Sequence, residues 1–229
     1  MPQSFELKAL DGVPLRERKQ ARTRLALAEA LVGALETRSL DEITVKAICA
    51  AAEVSEATFF NYFPRKTDLM LYCGQLWFTE LAWHARRAAA EQGPGLAVID
   101  GIFQQAARQI QARPQVMGEL IALFARLREK PELPEVSQVE RVLAFPALDG
   151  VEEVQVQGIE PLLAENLQRA IHRGELPGNT HASLVMVSLV SIFYGVPLVL
   201  HLANPGGIGS GYRQQLALLW AGVRALTRH

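Results

Sequence analysis

The chain has only two cysteines, Cys49 and Cys73, among its 229 residues. Two thiols cannot build a disulfide framework, so we expect a reducing compartment and place the protein in the cytoplasm. The chain also has almost no net charge, because 23 Lys and Arg stand against 24 Asp and Glu. Any contact with nucleic acid must therefore come from a local basic patch. The first residues lack a basic segment followed by an apolar run, so no secretory signal is expected.

The sequence contains one apolar run, residues 183–203, that is about as long as a membrane span. Pro197 interrupts this run, His181 and His201 bracket it, and no Lys or Arg cluster lies beside it to fix an orientation. We interpret it as a helix buried in a core or in a dimer, and we expect no contact with a membrane. A membrane-embedded protein is the alternative.

The alternation of apolar and polar residues that is typical of strands is absent, and apolar residues recur at helical spacing instead. The sequence therefore predicts an all-α protein. We expect a mobile arm over residues 1–14, a three-helix domain over 15–66 and a larger helical domain over 67–229. The predicted helices cover residues 15–38, 45–52, 56–62, 67–91, 96–112, 114–130, 151–173, 180–202 and 210–228. Residues 131–150 are the least regular, with room for one short helix.

Two short predicted helices follow one another in the first domain. Thr44 and Ser55 are placed as their N-caps, because each hydroxyl-bearing residue directly precedes a helical run. Two short helices joined by a tight turn and packed on a longer helix form a helix-turn-helix. Its second helix must present small or polar side chains to the major groove of DNA. We expect Phe59 and Phe63 to face the core, which leaves the opposite side of that helix for DNA.

Residues 44–69, TVKAICAAAEVSEATFFNYFPRKTDL, closely resemble the DNA-binding signature of the TetR/AcrR family of bacterial transcription regulators. The matching positions are Thr44, Val45, Ile48, Ala52, Val54, Ser55, Thr58, Phe59, Phe60, Tyr62, Phe63, Lys66 and Leu69. Glu53 departs from the pattern, since the family usually has Gly in this turn. A positive φ would cost a non-Gly residue there roughly 1 kcal/mol.

The resemblance implies a role in DNA binding for individual side chains. Phosphate contacts are expected from Thr44, Lys46, Ser55, Thr58, Tyr62 and Lys66, and base contacts from Glu56, Ala57, Phe60 and Asn61. Asparagine can pair with adenine, alanine can contact the thymine methyl group, and glutamate can accept from cytosine. Glu56 has an equal alternative as a carboxylate favoured by the helix dipole, and Asn61 can be a solvated residue.

The segment LRERKQARTR, which begins at Leu15, carries a local charge of +4. Placed directly before a DNA-binding domain, it is expected to follow the duplex backbone or to enter the minor groove through residues such as Arg18 and Lys19. The alternative is a solvated helix end.

The resemblance also implies a cavity for an apolar effector among the central helices. Few charges interrupt the apolar stripes of these helices, so we expect a small hydrophobic molecule, with an acyl chain or an acyl thioester as one option. Ordinary core packing is the alternative for any single residue. The predicted lining comprises Trp77, Phe78, Leu81, His84, Phe103, Met117, Leu120 and Phe124.

The last two predicted helices are apolar on more than one face, so they must be buried on more than one side. In the TetR/AcrR family, the corresponding helices of two subunits pair as a four-helix bundle. This implies a homodimer that presents two recognition helices to a palindromic operator. The predicted interface comprises Val185, Leu189, Ile192, Val196, Leu216, Leu219, Trp220 and Val223.

No catalytic or metal-binding constellation is visible in the sequence. The five histidines lack metal-ligand spacing with Cys or Asp, no G-x-S-x-G occurs, and GGIGSG at 206–211 follows a helix and not a strand. We expect no metal and no cofactor, and an all-α enzyme is the alternative from another class. The sequence is best interpreted as a ligand-responsive DNA-binding regulator, most often a repressor. A TetR-like activator or a co-repressed regulator is the alternative within the family.

Overall fold

The computed structural model of the protein describes residues 12–93, 95–129, 131–155, 157–201 and 203–226, and these residues form helices and no strand. The expected all-α class is confirmed. Most of the predicted mobile arm lies outside the described residues. The α-helices, in chain order, are α1 (Leu15–Leu35), α2 (Val45–Ala51), α3 (Glu56–Tyr62), α4 (Lys66–Gln92), α5 (Leu96–Ala112), α6 (Pro114–Arg126), α7 (Gln138–Ala144), α8 (Glu160–His172), α9 (Ala182–Leu200) and α10 (Ile208–Leu226).

Two predicted helices differ from their expected bounds by four residues or more at one end. The helix predicted over 114–130 ends at Arg126, ahead of Pro131 and Pro134. The helix predicted over 151–173 begins only at Glu160, because Val151–Glu153 forms a separate 3₁₀ turn and Gly158 has a positive φ. The proline at 161 then stands in the first turn of α8, where its missing N–H costs nothing.

The one short helix expected within residues 131–150 is α7. The Ser137 side chain accepts from the amide of Glu140, and the Glu140 carboxylate accepts from the amide of Ser137, so the two residues form a capping box. Arg141 closes the segment, because its guanidinium donates to the carbonyl of Val136 and, at 2.8 and 3.2 Å, to that of Glu152. Arg141 therefore connects the two ends of the segment 136–152.

The chain folds into two compact units, and the domain boundary expected near residue 66 stays a prediction. The first contains α1, α2, α3, the part of α4 up to Glu80, and residues Ala122–Gln155. The second contains Leu81–Ile121 together with α8, α9 and α10. Helix α4 continues from Lys66 to Gln92 without a break, because residues 66–92 contain no proline.

The core of the first unit contains a buried charged network. Arg24 of α1 pairs with Glu140 of α7 at 2.8 Å, and the Tyr72 hydroxyl of α4 donates to the same carboxylate at 2.7 Å. The guanidinium of Arg24 also lies 4.3 Å from the ring centroid of Tyr72, within cation–π range. Glu140 is only 1% exposed. The network therefore joins three helices of the first unit around one carboxylate.

The core of the second unit contains an aromatic cluster. The ring of Phe103 in α5 lies edge-on to those of Phe193 in α9 and Tyr212 in α10, with centroids 5.5 and 5.0 Å away. Edge-on contacts are a favoured geometry for aromatic pairs. All three side chains are fully buried. The cluster holds three helices of the second unit together.

Pro197 lies inside α9 and has no N–H to donate. Its α-helical acceptor would be the carbonyl four residues earlier, that of Phe193. The hydroxyl of Tyr212 donates to this carbonyl at 2.6 Å. Burial raises the pKa of Tyr212 far above its usual value, so the hydroxyl stays protonated and remains a donor. A side chain of α10 thus replaces the backbone bond that the proline removes.

Helix α9 is long and apolar enough, by length and composition alone, to cross a membrane. Only 22% of its most apolar window is buried within the protein, on the face that carries Val185, Leu189, Phe193 and Pro197. The rest of the helix keeps an uncovered apolar surface.

Candidate nucleic-acid interface

Both short helices of the first unit begin with the N-caps that the sequence predicts. The hydroxyl of Thr44 accepts from the amide of Ala47 at 3.1 Å, and that of Ser55 accepts from the amide of Thr58 at 3.1 Å. The Ser55 and Thr58 hydroxyls are also hydrogen-bonded to each other at 2.8 Å. Thr44 and Ser55 are exposed, and Thr58 is half-buried. These hydroxyls therefore stand at helix N-termini, where backbone amides and the dipole favour phosphate.

The turn between α2 and α3 contains a residue with a positive φ, a possibility that the sequence analysis raised for Glu53. Glu53 has φ of 55°, and among the described residues no other non-glycine residue has a positive φ. The amide of Val54 donates to the carbonyl of Cys49 at 3.0 Å, which ends α2. The tight turn is kept without its usual glycine, at a cost in backbone strain.

Helix α3 divides its side chains as expected. Phe59 and Phe63 are buried at 0% and 1% exposure, and Phe59 packs edge-on against Phe60. Glu56, Ala57 and Asn61 are exposed, and Phe60 is 50% exposed although it is a large apolar residue. Tyr62 is half-buried. The outer face therefore offers a carboxylate, a methyl group, an aromatic ring and an amide, which is a set of groups suited to base edges.

The structure changes which cations are available to DNA. Lys19 and Lys46 are exposed, and Arg18 is half-buried. Arg24, counted in the basic segment by the sequence, is instead ion-paired with the buried Glu140. Lys66, expected on a phosphate, donates to two backbone carbonyls. Sequence reasoning missed the carboxylate that pairs with Arg24 and the carbonyls that accept from Lys66. These groups are distant in the chain from the two cations.

The predicted effector residues are divided between the two units. Trp77, Phe78 and Phe124 belong to the first unit, and Leu81, His84, Phe103, Met117 and Leu120 belong to the second. Phe103 has the contacts of an ordinary core residue, which is the alternative that the sequence left open. Burial, with Arg108 and Arg87 nearby, holds the pKa of His84 below its usual value, so its ring is neutral at pH 7. The cavity itself remains a prediction.

The predicted dimer residues lie mostly in the core of their own chain, and the interface itself stays a prediction. Leu189 is 0% exposed, Val185, Leu216, Trp220 and Val223 are also buried, and Ile192, Val196 and Leu219 are half-buried. A helix that is apolar all round has no periodicity to distinguish its inner face from its outer one. The exposed large apolar side chains are Leu184, Val187, Leu198 and Val199 of α9 and Leu218 and Leu226 of α10.

Comparison with known proteins supports the helix-turn-helix assignment. Residues 27–73 match the sequence family described as bacterial regulatory proteins, tetR family. Thermus thermophilus FadR, a TetR family transcriptional repressor solved in complex with lauroyl-CoA, is 24% identical with a TM-score of 0.60, over 86% of this chain and 92% of its own. A TetR transcriptional regulator from Rhodococcus sp. RHA1 is 17% identical with a TM-score of 0.51, over 89% of this chain and 97% of its own. No curated protein matches significantly.

The structural neighbours share the fold, and the family match covers α2, α3 and the last part of α1, from Leu27 onwards. The matched residues are the ones whose caps, turn and outer face have the geometry described above. Residues 27–73, which contain the helix-turn-helix, therefore match the N-terminal domain of the tetR family of bacterial regulatory proteins.

Proposed function

We propose that the protein is a transcriptional repressor that binds a palindromic operator as a homodimer and releases it when a small hydrophobic molecule binds. The outer face of α3, with Glu56, Ala57, Phe60 and Asn61 exposed, is the observation that carries the proposal. Exposed Lys46 and Lys19, with the hydroxyls of Thr44 and Ser55, supply groups suited to phosphate. The proposal includes a cytoplasmic location and a role without catalysis.

The proposed second subunit covers the uncovered apolar faces of α9 and α10. Leu184, Val187 and Leu198 recur at helical spacing on α9, and Leu218 is 67% exposed on α10. Contiguous apolar surface of this kind marks an interaction site. A two-fold axis through this face would present two copies of α3 to successive major grooves, about 34–36 Å apart along the duplex. This surface also offers a simpler explanation for the apolar run of α9 than a membrane span.

The proposed effector is an apolar or amphipathic molecule, with a long-chain acyl thioester as the first compound to test. Support comes from the apolar stripes of α4, α5 and α6 and from the lauroyl-CoA bound by the Thermus thermophilus neighbour. In the proposed mechanism, the ligand binds better to a conformation whose recognition helices are badly spaced for DNA. The operator complex then dissociates by a shift of population.

Genome-wide mapping of the DNA bound in the source organism tests the proposal. We expect inverted repeats in promoter regions, followed by release of those fragments in vitro when lauroyl-CoA is added. Transcription that falls when the protein is removed would indicate the alternative, an activator. DNA that stays bound with lauroyl-CoA but dissociates with another apolar compound would reject the acyl thioester and keep the repressor. Failure to enrich any DNA would reject DNA-binding regulation altogether.

A further inference from the structure

Lys66 begins α4, and its ammonium group contacts the loop that precedes α2. Nζ donates to the carbonyl of Ile43 at 2.5 Å and also to that of Leu40. Lys66 is half-buried, and the side chains of Leu40 and Ile43 are buried in the core at 4% and 0% exposure. An ammonium has three donors. Two of the three N–H groups of this ammonium therefore donate to backbone carbonyls of residues whose side chains are buried.

The loop of residues 39–43 determines where α2 begins. The amide and the hydroxyl of Ser39 both donate to the carboxylate of Glu42 at 2.8 Å, which closes the loop on itself. Thr44 follows at once and caps α2, and exposed Lys46 lies in the first turn of that helix. A group that holds the loop therefore also sets the positions of Thr44 and Lys46.

We propose that Lys66 is a positioning residue for DNA binding, which holds residues 39–43 and thereby Thr44 and Lys46, and that its charge does not contact phosphate. The inference rests on the proposed binding of DNA by α2 and α3. It replaces the phosphate contact that the family resemblance implied for Lys66. Lys46 is the matched control, because it is an exposed lysine in the first turn of α2.

Salt dependence separates a phosphate contact from a positioning role. Each phosphate contact contributes about 0.9 to the slope of log K against log salt. We compare Lys66→Met and Lys46→Met in the full-length protein, measuring affinity for a mixed-sequence duplex over a range of salt, and the unfolding temperature. Lys46→Met should lose about 0.9 of the slope with an unchanged Tm. Lys66→Met should keep the slope, because the bound state still makes the Lys46 contact once the loop has been ordered by binding. The ordering should make binding about tenfold weaker at every salt concentration, and the lost hydrogen bonds should lower Tm by about 2–4 °C.

Three results overturn the proposal. A slope lowered by about 0.9 in Lys66→Met would make Lys66 a phosphate ligand. An unchanged Tm would show that its two hydrogen bonds do not hold the loop. A lower Tm with unchanged affinity would make Lys66 structural only.

If Lys66→Met does not fold, Lys66→Arg can distinguish a positioning role from a phosphate contact. Arginine serves a phosphate as well as lysine does, but its planar fork does not replace an ammonium between two carbonyls. Positioning predicts a lower Tm and weaker binding for Lys66→Arg, whereas a phosphate contact predicts neither. If the wild type binds no DNA, the proposed function fails, and the Tm comparison still decides whether Lys66 holds the loop.

Discussion

The hydroxyl of Tyr212 donates to the carbonyl of Phe193, to which residue 197 cannot donate because it is a proline and lacks an N–H. Tyr212→Phe removes this buried hydrogen bond. An intramolecular hydrogen bond contributes about 0.5–1.5 kcal/mol to stability. In a Pro197→Ala background, the amide at residue 197 can donate to the same carbonyl. Tyr212→Phe should then cost about 1 kcal/mol less than in the wild type.

A double-mutant cycle measured by urea unfolding tests this coupling. Tyr212→Phe, Pro197→Ala and the double variant give an interaction energy in which the direct effect of each substitution cancels. Tyr72→Phe is the control, because its hydroxyl donates to Glu140 in the first unit and shares no partner with Pro197. Its cost should be the same in both backgrounds. Equal costs for Tyr212→Phe in both backgrounds, within about 0.5 kcal/mol, would refute the argument.

Three further predictions follow from the structure. Glu53→Gly should raise the free energy of unfolding by about 0.5–1 kcal/mol, because glycine relieves the positive φ, and a loss of stability in denaturation would contradict this. Glu140→Ala should cost about 3–5 kcal/mol by the same measurement, because Arg24 loses its buried partner, and a cost below about 1 kcal/mol would mean that the network is relaxed by solvent. Leu218→Glu should give folded monomers by light scattering, whereas Leu189→Glu should unfold the second unit, and a normal dimer of Leu218→Glu would place the interface elsewhere.

Features governed by neighbouring residues could be predicted from the sequence. The bounds of α3 and α5, and the N-caps Thr44 and Ser55, agree with the structure. Each depends on capping and on helical spacing, which act within a few residues. The inward positions of Phe59 and Phe63 follow from the same spacing.

Features set by distant residues could not be predicted. The partner of Arg24 lies 116 residues away, and those of Lys66 lie 26 and 23 residues away, so both cations look free in the sequence. Which face of α9 is buried depends on the helices that pack against it. A helix that is apolar on all sides has no sequence pattern that distinguishes its buried face from its exposed one. The late start of α8 reflects the turn at Val151–Glu153, whose residues favour a helix when considered alone.

The first unit is assembled from two separate stretches of chain, and this affects how it is made and how it can be exchanged. Glu140, which completes its charged network, follows Tyr72 by 68 residues. During synthesis the helix-turn-helix therefore leaves the ribosome well before its last core segment, with Arg24 and Tyr72 still unpaired. A recombination event that transfers only α1 to α4 would leave the same two side chains without Glu140 in the recipient. Exchange of DNA-binding specificity between relatives should then succeed only when residues 122–155 are transferred together with the recognition helix.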